Sequence, residues 1–567
     1  MSFGKQLVVD SLYVLFAFAA SWCLWRVPGI PVTHDGFGLQ IVESYRRTYL
    51  AHDYFPTWFS FASNGRGSMF PMLYHRLHGQ VFGLLAVKLG AELATKLSIP
   101  ICLLVGAAGM RRLAEAYGVR PRIAWLLGLF LMTTPYAICD WFTRGAVAEL
   151  MAFMLVPWCL RALVRTLRGQ AQGVGLAVSI VLLFFAHMLA FYFFSFFVFA
   201  ATVDHVLRTR RLGSRAVWKP IGRLARAGAL SMVVVGPYVA AVEFVVGLSP
   251  ITDIAMRSDA LAYMKFREYF FDTAARWTYV ANNTHQMRVE IGRWVLVALV
   301  ACVALVPRGA RVIGRDLMWM IVPSLAFMLV QPRELSFVFD TFPGASKVQF
   351  PMRLLVYVVP TTLLCLGVAA EQAMRRGGLA VRTGVVLAVV TAAAGQFYLA
   401  IDVQRFMRLR SYTDLEVDES IASADPMKTK LEEYPGWQFF TPGFRRAPEE
   451  AIPLVDAGNC LVSSKALLGV ARASTIWSWA PFKSLELTTH GQGCRVVIAQ
   501  YQTPLLDVTL SRHGHVSETS DGTIVVDAPD DETIVRLRRR TIFELGARWL
   551  KQVFHLRRAI TPKEIDE

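Results

Sequence analysis

The chain has 567 residues, of which 54% are hydrophobic and 18% are charged, and its formal net charge is +17. Soluble domains usually carry about a quarter charged residues, so this composition excludes an ordinary soluble protein and predicts an integral membrane protein. The arginines lie in short loops between apolar segments rather than along one face or arm. That pattern is typical of cytoplasmic loops and excludes a nucleic-acid partner.

Eleven apolar segments have the length and composition of membrane-spanning helices. They are residues 9–27, 92–110, 123–139, 147–164, 174–189, 190–206, 227–247, 291–306, 316–331, 351–371 and 382–401. The apolar run over 174–206 is too long for one ordinary span, so we divide it near His187 as a tight hairpin; one tilted helix is the alternative. No cleavable signal peptide is recognised. With the arginine-rich loops inside, the N-terminus is cytoplasmic, and residues 28–91 and those after 402 lie outside.

The first outer segment begins with His34, Asp35 and Gly36, directly after the first span. Apolar side chains four apart over residues 37–54 predict an amphipathic helix on the membrane surface. Asp35 can cap this helix, act as a general base at a partly dry interface or hold a divalent cation. The residues leave these alternatives open, and no cofactor is certain.

A second outer segment places Asp140, Arg144 and Glu149 at the tip of a predicted helical hairpin. Asp140 and Arg144 are four apart on a helix, so they can form an ion pair that satisfies itself. Glu149 begins an apolar helix, where the helix N-terminus favours a negative charge. Ionisable residues at membrane boundaries are costly, which makes all three functional candidates.

A third outer segment, residues 331–355, carries Arg333, Glu334 and Arg353. Arg353 lies where a membrane helix is predicted to begin. An arginine there can extend its charge to the membrane surface or bind a lipid phosphate through two N–H donors. His187, within a long apolar run, is either a hydrogen-bonded structural residue or a ligand. Acids and arginines from separate outer loops thus suit a substrate with an anionic phosphate and a lipid tail.

After residue 402 the sequence changes to alternating apolar and polar residues, as in SLELTTH and TIVVDA, which predicts strands. Outside the cytoplasm, Cys460 and Cys494 can pair as a disulfide, with two free thiols as the alternative. The basic, amphipathic tail could lie on the bilayer. The predicted organisation is a polytopic transmembrane domain over 1–401, a linker over 402–429, a β-rich domain over 430–540 and the amphipathic tail over 541–567.

Four segments, taken in order, resemble the GT-C superfamily of polytopic membrane glycosyltransferases. They are HDGFGLQIVESYRRTYLAHDYFPTW at 34–58, TRGAVAELMAFMLVPW at 143–158, AHMLAF at 186–191 and VQFPMRLL at 348–355. The sequence most closely resembles bacterial membrane proteins labelled 6-pyruvoyl-tetrahydropterin synthase-related, although nothing in it looks like a pterin enzyme. It departs from the family pattern at Met352, where the family often has Trp, and it shows no final membrane helix after the β-rich domain.

The resemblance implies a GT-C-like, all-α membrane fold of about eleven transmembrane helices followed by a small extracytoplasmic β-rich domain. It further implies a transferase that moves a sugar from a polyprenyl-phosphate donor to a cell-envelope glycan or lipid acceptor, on the periplasmic face of the bacterial inner membrane. Asp35 would be the catalytic base or a metal contact, and Asp140 or Glu149 would be the second acidic, catalytic residue. The expected substrate-binding residues are His34, Arg144, His187, Arg333, Glu334 and Arg353. A transporter or flippase and a non-catalytic assembly protein for lipid-linked glycans are the alternatives.

Overall fold

The computed structural model forms two compact units. It describes residues 3–26, 29–31, 38–61, 67, 69–247, 290–306, 315–330, 337, 351–406, 411–412, 454–464, 475–476, 484–501, 503, 505–519 and 523–560. The first unit comprises Met1–Leu39, Glu92–Ser231 and Met256–Tyr412. The second unit comprises Gln40–Ala91, Met232–Ala255 and Thr413–Glu567. The predicted domain boundaries at 401, 429 and 540 remain predictions.

Helices dominate the described part of the chain before residue 407. In chain order they are α1 (Phe3–Ala20), α2 (Cys23–Arg26), α3 (Gly38–Leu50), α4 (Phe70–Leu73), α5 (Leu77–Leu89), α6 (Ala91–Ala116), α7 (Pro121–Thr133), α8 (Pro135–Ile138), α9 (Val147–Leu167), α10 (Val174–Ala186), α11 (Met188–Thr209), α12 (Ser214–Gly247), α13 (Arg293–Ala304), α14 (Met318–Val330), α15 (Leu355–Arg376) and α16 (Leu379–Asp402). One further helix, α17 (Ile542–Ile560), follows the strands.

Seven helical segments in the described residues are long and apolar enough to cross a membrane. They are Ala91–Ala116, Pro121–Arg144, Val147–Leu167, Met188–Thr209, Ser214–Val245, Met352–Arg376 and Leu379–Asp402. The prediction of a polytopic, mostly helical membrane protein is therefore confirmed. The count of eleven spans is not confirmed, because several predicted spans contain helices too short to cross a bilayer. For example, α14 has 13 residues and is about 20 Å long, against a hydrocarbon core of about 30 Å.

The first predicted span, residues 9–27, is broken rather than continuous. α1 ends at Ala20 and α2 begins at Cys23. The side chain of Gln404 bridges this break: its Nε2 donates to the Ala20 carbonyl at 3.0 Å, and its Oε1 accepts from the Cys23 N–H at 3.0 Å. Gln404 is buried, so one side-chain amide satisfies two backbone groups that the break would leave without partners.

The long apolar run over 174–206 is divided at His187, as predicted. α10 ends at Ala186 and α11 begins at Met188, so the connection is a single residue in an extended conformation. The His187 Nδ1 accepts a hydrogen bond from the Ala190 N–H at 3.2 Å and caps α11. A single tilted helix is therefore excluded.

Antiparallel strands form the C-terminal part of the second unit. Strands β3 to β11 make a five-stranded sheet of order β5-β3-β7-β10-β9 and a four-stranded sheet of order β4-β6-β11-β8. Their bounds are β3 (Val455–Asp456), β4 (Leu461–Ser464), β5 (Thr475–Ile476), β6 (Ser484–His490), β7 (Cys494–Tyr501), β8 (Leu506–Leu510), β9 (His515–Glu518), β10 (Thr523–Ala528) and β11 (Ile534–Arg539). Two earlier short strands, β1 (Ile30–Pro31) and β2 (Ser411–Tyr412), pair in the first unit. The predicted β-rich domain is thus confirmed.

Cys460 and Cys494 form a disulfide within the second unit, with Cα atoms 5.7 Å apart. Cys460 directly precedes β4 and Cys494 begins β7, so the bond links the edge strand of the four-stranded sheet to the central strand of the five-stranded sheet. A closed loop of 34 residues contributes roughly 4 kcal/mol in the chain-entropy model.

The first outer segment folds into the second unit, where α3 confirms the predicted amphipathic helix. Its apolar residues Ile41, Tyr45 and Tyr49 are buried. α3 packs closely on α5, because a Cβ added at Gly83 would lie 2.4 Å from the Tyr45 Cβ. Only a residue without a Cβ permits this approach.

Candidate functional site

The site forms where the chain turns between α8 and α9 in the first unit. Residues Cys139–Arg144 make a π-helical turn that ends at Gly145, whose φ of 73° is left-handed. The Ala146 N–H donates to the Asp140 carbonyl at 2.7 Å and closes the turn. Glycine suits this conformation because it has no Cβ to clash. The tight turn brings the two acids, Asp140 and Glu149, to the same arginine.

Arg144 joins the two carboxylates. Its Nη1 lies 2.7 Å from the Asp140 Oδ1 and 2.9 Å from the Glu149 Oε1, and its Nη2 lies 2.9 Å from the Glu149 Oε2. All three side chains are buried. The bidentate contact with Glu149 fixes both groups in one geometry. The predicted Asp140–Arg144 pair therefore exists, but it is part of a larger arrangement.

Arg353 completes the carboxylate–arginine cluster, the name used below for Asp140, Arg144, Glu149 and Arg353. Its Nε lies 3.1 Å from the Glu149 Oε2, and its side chain is 21% exposed, which makes it the most accessible member. Arg353 sits in the 3₁₀ turn Pro351–Leu354 that leads into α15. The cluster therefore joins two segments about 200 residues apart in sequence.

Tyr136, on α8, is a member of the site that the sequence did not predict. Its hydroxyl donates to the Glu149 Oε1 and lies 3.5 Å from the Arg353 carbonyl oxygen. The only signal in the sequence is its position four residues before Asp140. A tyrosine at a membrane boundary is ordinarily an interfacial anchor, so that spacing alone does not indicate a role.

The cluster balances two carboxylates against two guanidinium groups in a desolvated place. Burying such ions costs several kcal/mol each unless every charge is paired and hydrogen-bonded. Glu149 lies in the first turn of α9, where the helix dipole also favours a negative charge. The geometry pairs Glu149 with both guanidinium groups, Arg144 and Arg353.

An apolar groove of about 420 Å³ lies between α11 and α14 in the first unit. At one end it is lined by Phe193, Phe327 and Leu354, and at the other by Leu207 and Met318. Leu354 is adjacent in sequence to Arg353. The groove therefore ends one residue away from the carboxylate–arginine cluster.

The structure brings together part of the predicted site. Asp140, Arg144, Glu149 and Arg353 are in contact, and His187 lies within electrostatic range of Glu149. The other predicted residues lie outside the described residues; they are His34, Asp35, Arg333 and Glu334. Within the described ranges no group of three or more His, Cys, Asp or Glu side chains could hold a metal ion. The possible metal contact at Asp35 remains a prediction.

No family model matches the sequence, and no curated protein matches it. Among solved structures, the chain is similar to the arabinofuranosyltransferase AftD from Mycobacteria, with 17% identity and a TM-score of 0.45 over 72% of this chain and 27% of that one. It is also similar to ArnT from Cupriavidus metallidurans bound to undecaprenyl phosphate, with 12% identity and a TM-score of 0.43 over 76% of this chain and 82% of that one.

The chain thus spans about a quarter of the length of AftD. The pterin synthase-related label remains a prediction. Because both TM-scores are below 0.5, these likenesses carry no inference about reaction or substrate.

Proposed function

We propose that the protein is a membrane glycosyltransferase that transfers a sugar from a polyprenyl-phosphate donor to a cell-envelope glycan or lipid acceptor. The observation that carries this proposal is the carboxylate–arginine cluster, buried at the ends of membrane helices and directly beside an apolar groove. A lipid-linked sugar phosphate has the matching parts, an apolar tail and an anionic head.

Arg353 is the proposed phosphate-binding residue. It is the most accessible member of the cluster, and its neighbour Leu354 lines the groove. A lipid tail in the groove would therefore place its phosphate within reach of the Arg353 guanidinium. Glu149 contacts that guanidinium, and Arg144 fixes Glu149, so the Arg353 charge is preorganised for the phosphate that leaves.

Asp35 is the proposed catalytic base, on the sequence resemblance. It would take the proton of the acceptor hydroxyl as the oxygen attacks the anomeric carbon, while the bond to the polyprenyl phosphate breaks. Asp140 and Glu149 would act beside it as the acidic partners, and His34, His187, Arg333 and Glu334 as substrate-binding residues. A divalent cation held at Asp35 would supply further charge stabilisation.

The protein is a membrane protein, and we place it in the bacterial inner membrane with a cytoplasmic N-terminus. The basis is the arginine-rich loops, which favour the cytoplasmic side. The carboxylate–arginine cluster and the β-rich domain would then face the periplasm. The disulfide between Cys460 and Cys494 supports this orientation, since disulfides persist in oxidising compartments.

The test compares envelope glycans by mass spectrometry in a null strain complemented at matched protein levels. Wild type should restore a sugar that Asp35→Asn and Glu149→Gln do not. For the general base, the loss of rate should be on the order of 10²–10⁴-fold.

Glu371→Gln is the matched control. Glu371 is also a buried carboxylate of the first unit held by two arginines, Arg120 and Arg375. It lies 16 residues beyond Leu355 along α15, which is about 24 Å away. This variant should restore the glycan.

Two results would overturn the proposal. If Asp35→Asn and Glu149→Gln restore the glycan fully, neither acid takes part in chemistry, and a non-catalytic assembly protein is favoured. If sugar-loaded polyprenyl phosphate accumulates on the cytoplasmic side of the null strain, a transporter or flippase is favoured instead.

A further inference from the structure

The C-terminal helix α17 begins with a complete capping box. The Thr541 Oγ1 accepts from the Glu544 N–H at 3.3 Å, and the Glu544 Oε2 accepts from the Thr541 N–H at 2.7 Å. Such a cap fixes the point and direction at which the helix leaves the last strand. The helix carries four basic residues, Arg548, Lys551, Arg557 and Arg558, against one acid, Glu544.

One face of α17 is anchored within the second unit. Leu545 is fully buried. A Cβ added at Gly546 would lie 3.2 Å from the Pro237 carbonyl oxygen and 3.6 Å from the Ala240 Cβ. Pro237 and Ala240 belong to α12, within a candidate membrane span. α17 thus starts directly against a helix that can cross the bilayer.

A second apolar face of α17 is exposed in the part of the chain that the structure describes. Phe543 is 69% exposed and Leu550 is 47% exposed. The two are seven residues apart, so they lie on one side of the helix. This uncovered strip, Phe543 and Leu550, lies about 100° around the helix from the face that Leu545 and Gly546 bury.

The surroundings indicate which partner covers the strip. The stretch of α12 in the second unit exposes Met232, Val233 and Val239, apolar side chains that suit contact with lipid tails. The cations Arg548 and Lys551 are exposed on the remaining face of α17. An apolar strip flanked by cations is the pattern of a helix that lies in the lipid–water interface.

We infer that α17 is a surface anchor that binds the strands of the second unit to an anionic phospholipid bilayer. Phe543 and Leu550 enter the acyl boundary, and Arg548 and Lys551 pair with lipid phosphates. The inference does not depend on glycosyl transfer.

The test uses the full-length protein in nanodiscs, with nitroxide labels at Leu550→Cys and at the matched control Gln552→Cys. The two positions are about 160° apart on the helix, and both are exposed. The six other free cysteines are buried. The label at 550 should be quenched by oxygen and protected from a water-soluble nickel complex, and the label at 552 should show the reverse.

Two outcomes contradict membrane contact. Equal nickel accessibility at 550 and 552 means that the strip faces water. A label at 550 that is shielded from both quenchers means that a protein, such as a second copy, covers it.

Varying the lipid charge tests whether α17 recognises anionic lipid. Arg548→Gln with Lys551→Gln should reduce the protection of the 550 label in nanodiscs of phosphatidylglycerol and leave it unchanged in phosphatidylcholine. An equal effect in both lipids would contradict recognition of anionic lipid. The thermal unfolding midpoint, expected to be unchanged for these exposed residues, separates detachment from unfolding.

Discussion

Two arginines, Arg144 in the first unit and Arg76 in the second, are both almost completely buried, at 2% and 1% exposure, but their charges are satisfied in opposite ways. Arg144 contacts two carboxylates. Arg76 has no carboxylate within 4 Å among the described residues. Its guanidinium lies 3.6 Å from the centroid of the Phe55 ring and 5.4 Å from that of Tyr238, and its Nη2 donates to the Pro56 carbonyl at 2.9 Å.

The difference separates two uses of a buried cation. The aromatic faces around Arg76 attract its charge without bringing a counter-charge, and its Nε and Nη1 have no hydrogen-bond partner among the described residues. Around Arg144, each charge depends on the others, and Arg353 extends the same network to a partly exposed side chain. In the proposed function, the second arrangement is the one that meets the donor phosphate.

The largest expected effect comes from removing each arginine in turn. Arg144→Met leaves Asp140 and Glu149 buried with less compensation and should cost about 3–5 kcal/mol. Arg76→Met leaves one carbonyl without its donor and loses cation–π attraction, which together should cost about 1–2 kcal/mol. Thermal unfolding of the two purified variants in one detergent measures both. Equal losses would mean that the carboxylates add nothing to the burial of Arg144.

Acid should lower the stability of the second unit through His78 on α5. Neither ring nitrogen of His78 has a hydrogen-bond partner among the described residues, and burial lowers its pKa from the usual 6.5 to about 3. The unfolded chain therefore binds a proton between these values that the folded chain does not. Above about pH 6.5, His78 does not reduce the free energy of unfolding. Below that pH the free energy of unfolding should fall by up to about 1.4 kcal/mol per pH unit.

The measurement for His78 is the unfolding midpoint of wild type and His78→Leu between pH 7.5 and pH 4. Leucine cannot take up a proton, so the variant should lose less stability over this range than wild type. Parallel pH curves would show that other groups account for the acid sensitivity.

The smallest effect is expected from Phe55, which lies over Arg76. Phe55→Ala should cost about 0.5–2 kcal/mol beyond the loss of its partly exposed surface, because the cation–π contact disappears. In the Arg76→Met background the same change should cost less. A double-mutant cycle gives the coupling energy directly, and a value near zero would mean that the contact contributes nothing.

Regular patterns made much of the fold predictable. Alternation in SLELTTH predicted β6, where Leu485 and Leu487 are buried, and spacing of four predicted both α3 and the Asp140–Arg144 pair. Side chains that act across long sequence separations were not predictable. Gln404 bridges a helix break more than 380 residues away. Arg76 lies beside the Tyr238 ring because the tertiary fold brings distant segments together.

Prediction of the site from the sequence was limited in the same way. Its charged members stood out because an ion in an apolar stretch is expensive. Tyr136 did not stand out, since a tyrosine at that depth costs little. From the sequence, Arg353 and Glu149 could be predicted only to lie on neighbouring outer loops. The contact between them depends on a π-helical turn, and no sequence pattern predicts such a turn.

That turn carries a consequence for how the protein can change over evolution. A π-helical turn holds one more residue than an α-helical turn, so Cys139–Arg144 is equivalent to an α-helical turn with one residue added. Loss of a single codon there would let the segment relax to a regular α-helix and rotate α8 by about 100° relative to Glu149. Tyr136 would turn away while every charged residue of the cluster stayed in the gene. The number of residues in this turn, as much as their identities, should therefore indicate which homologues retain the site.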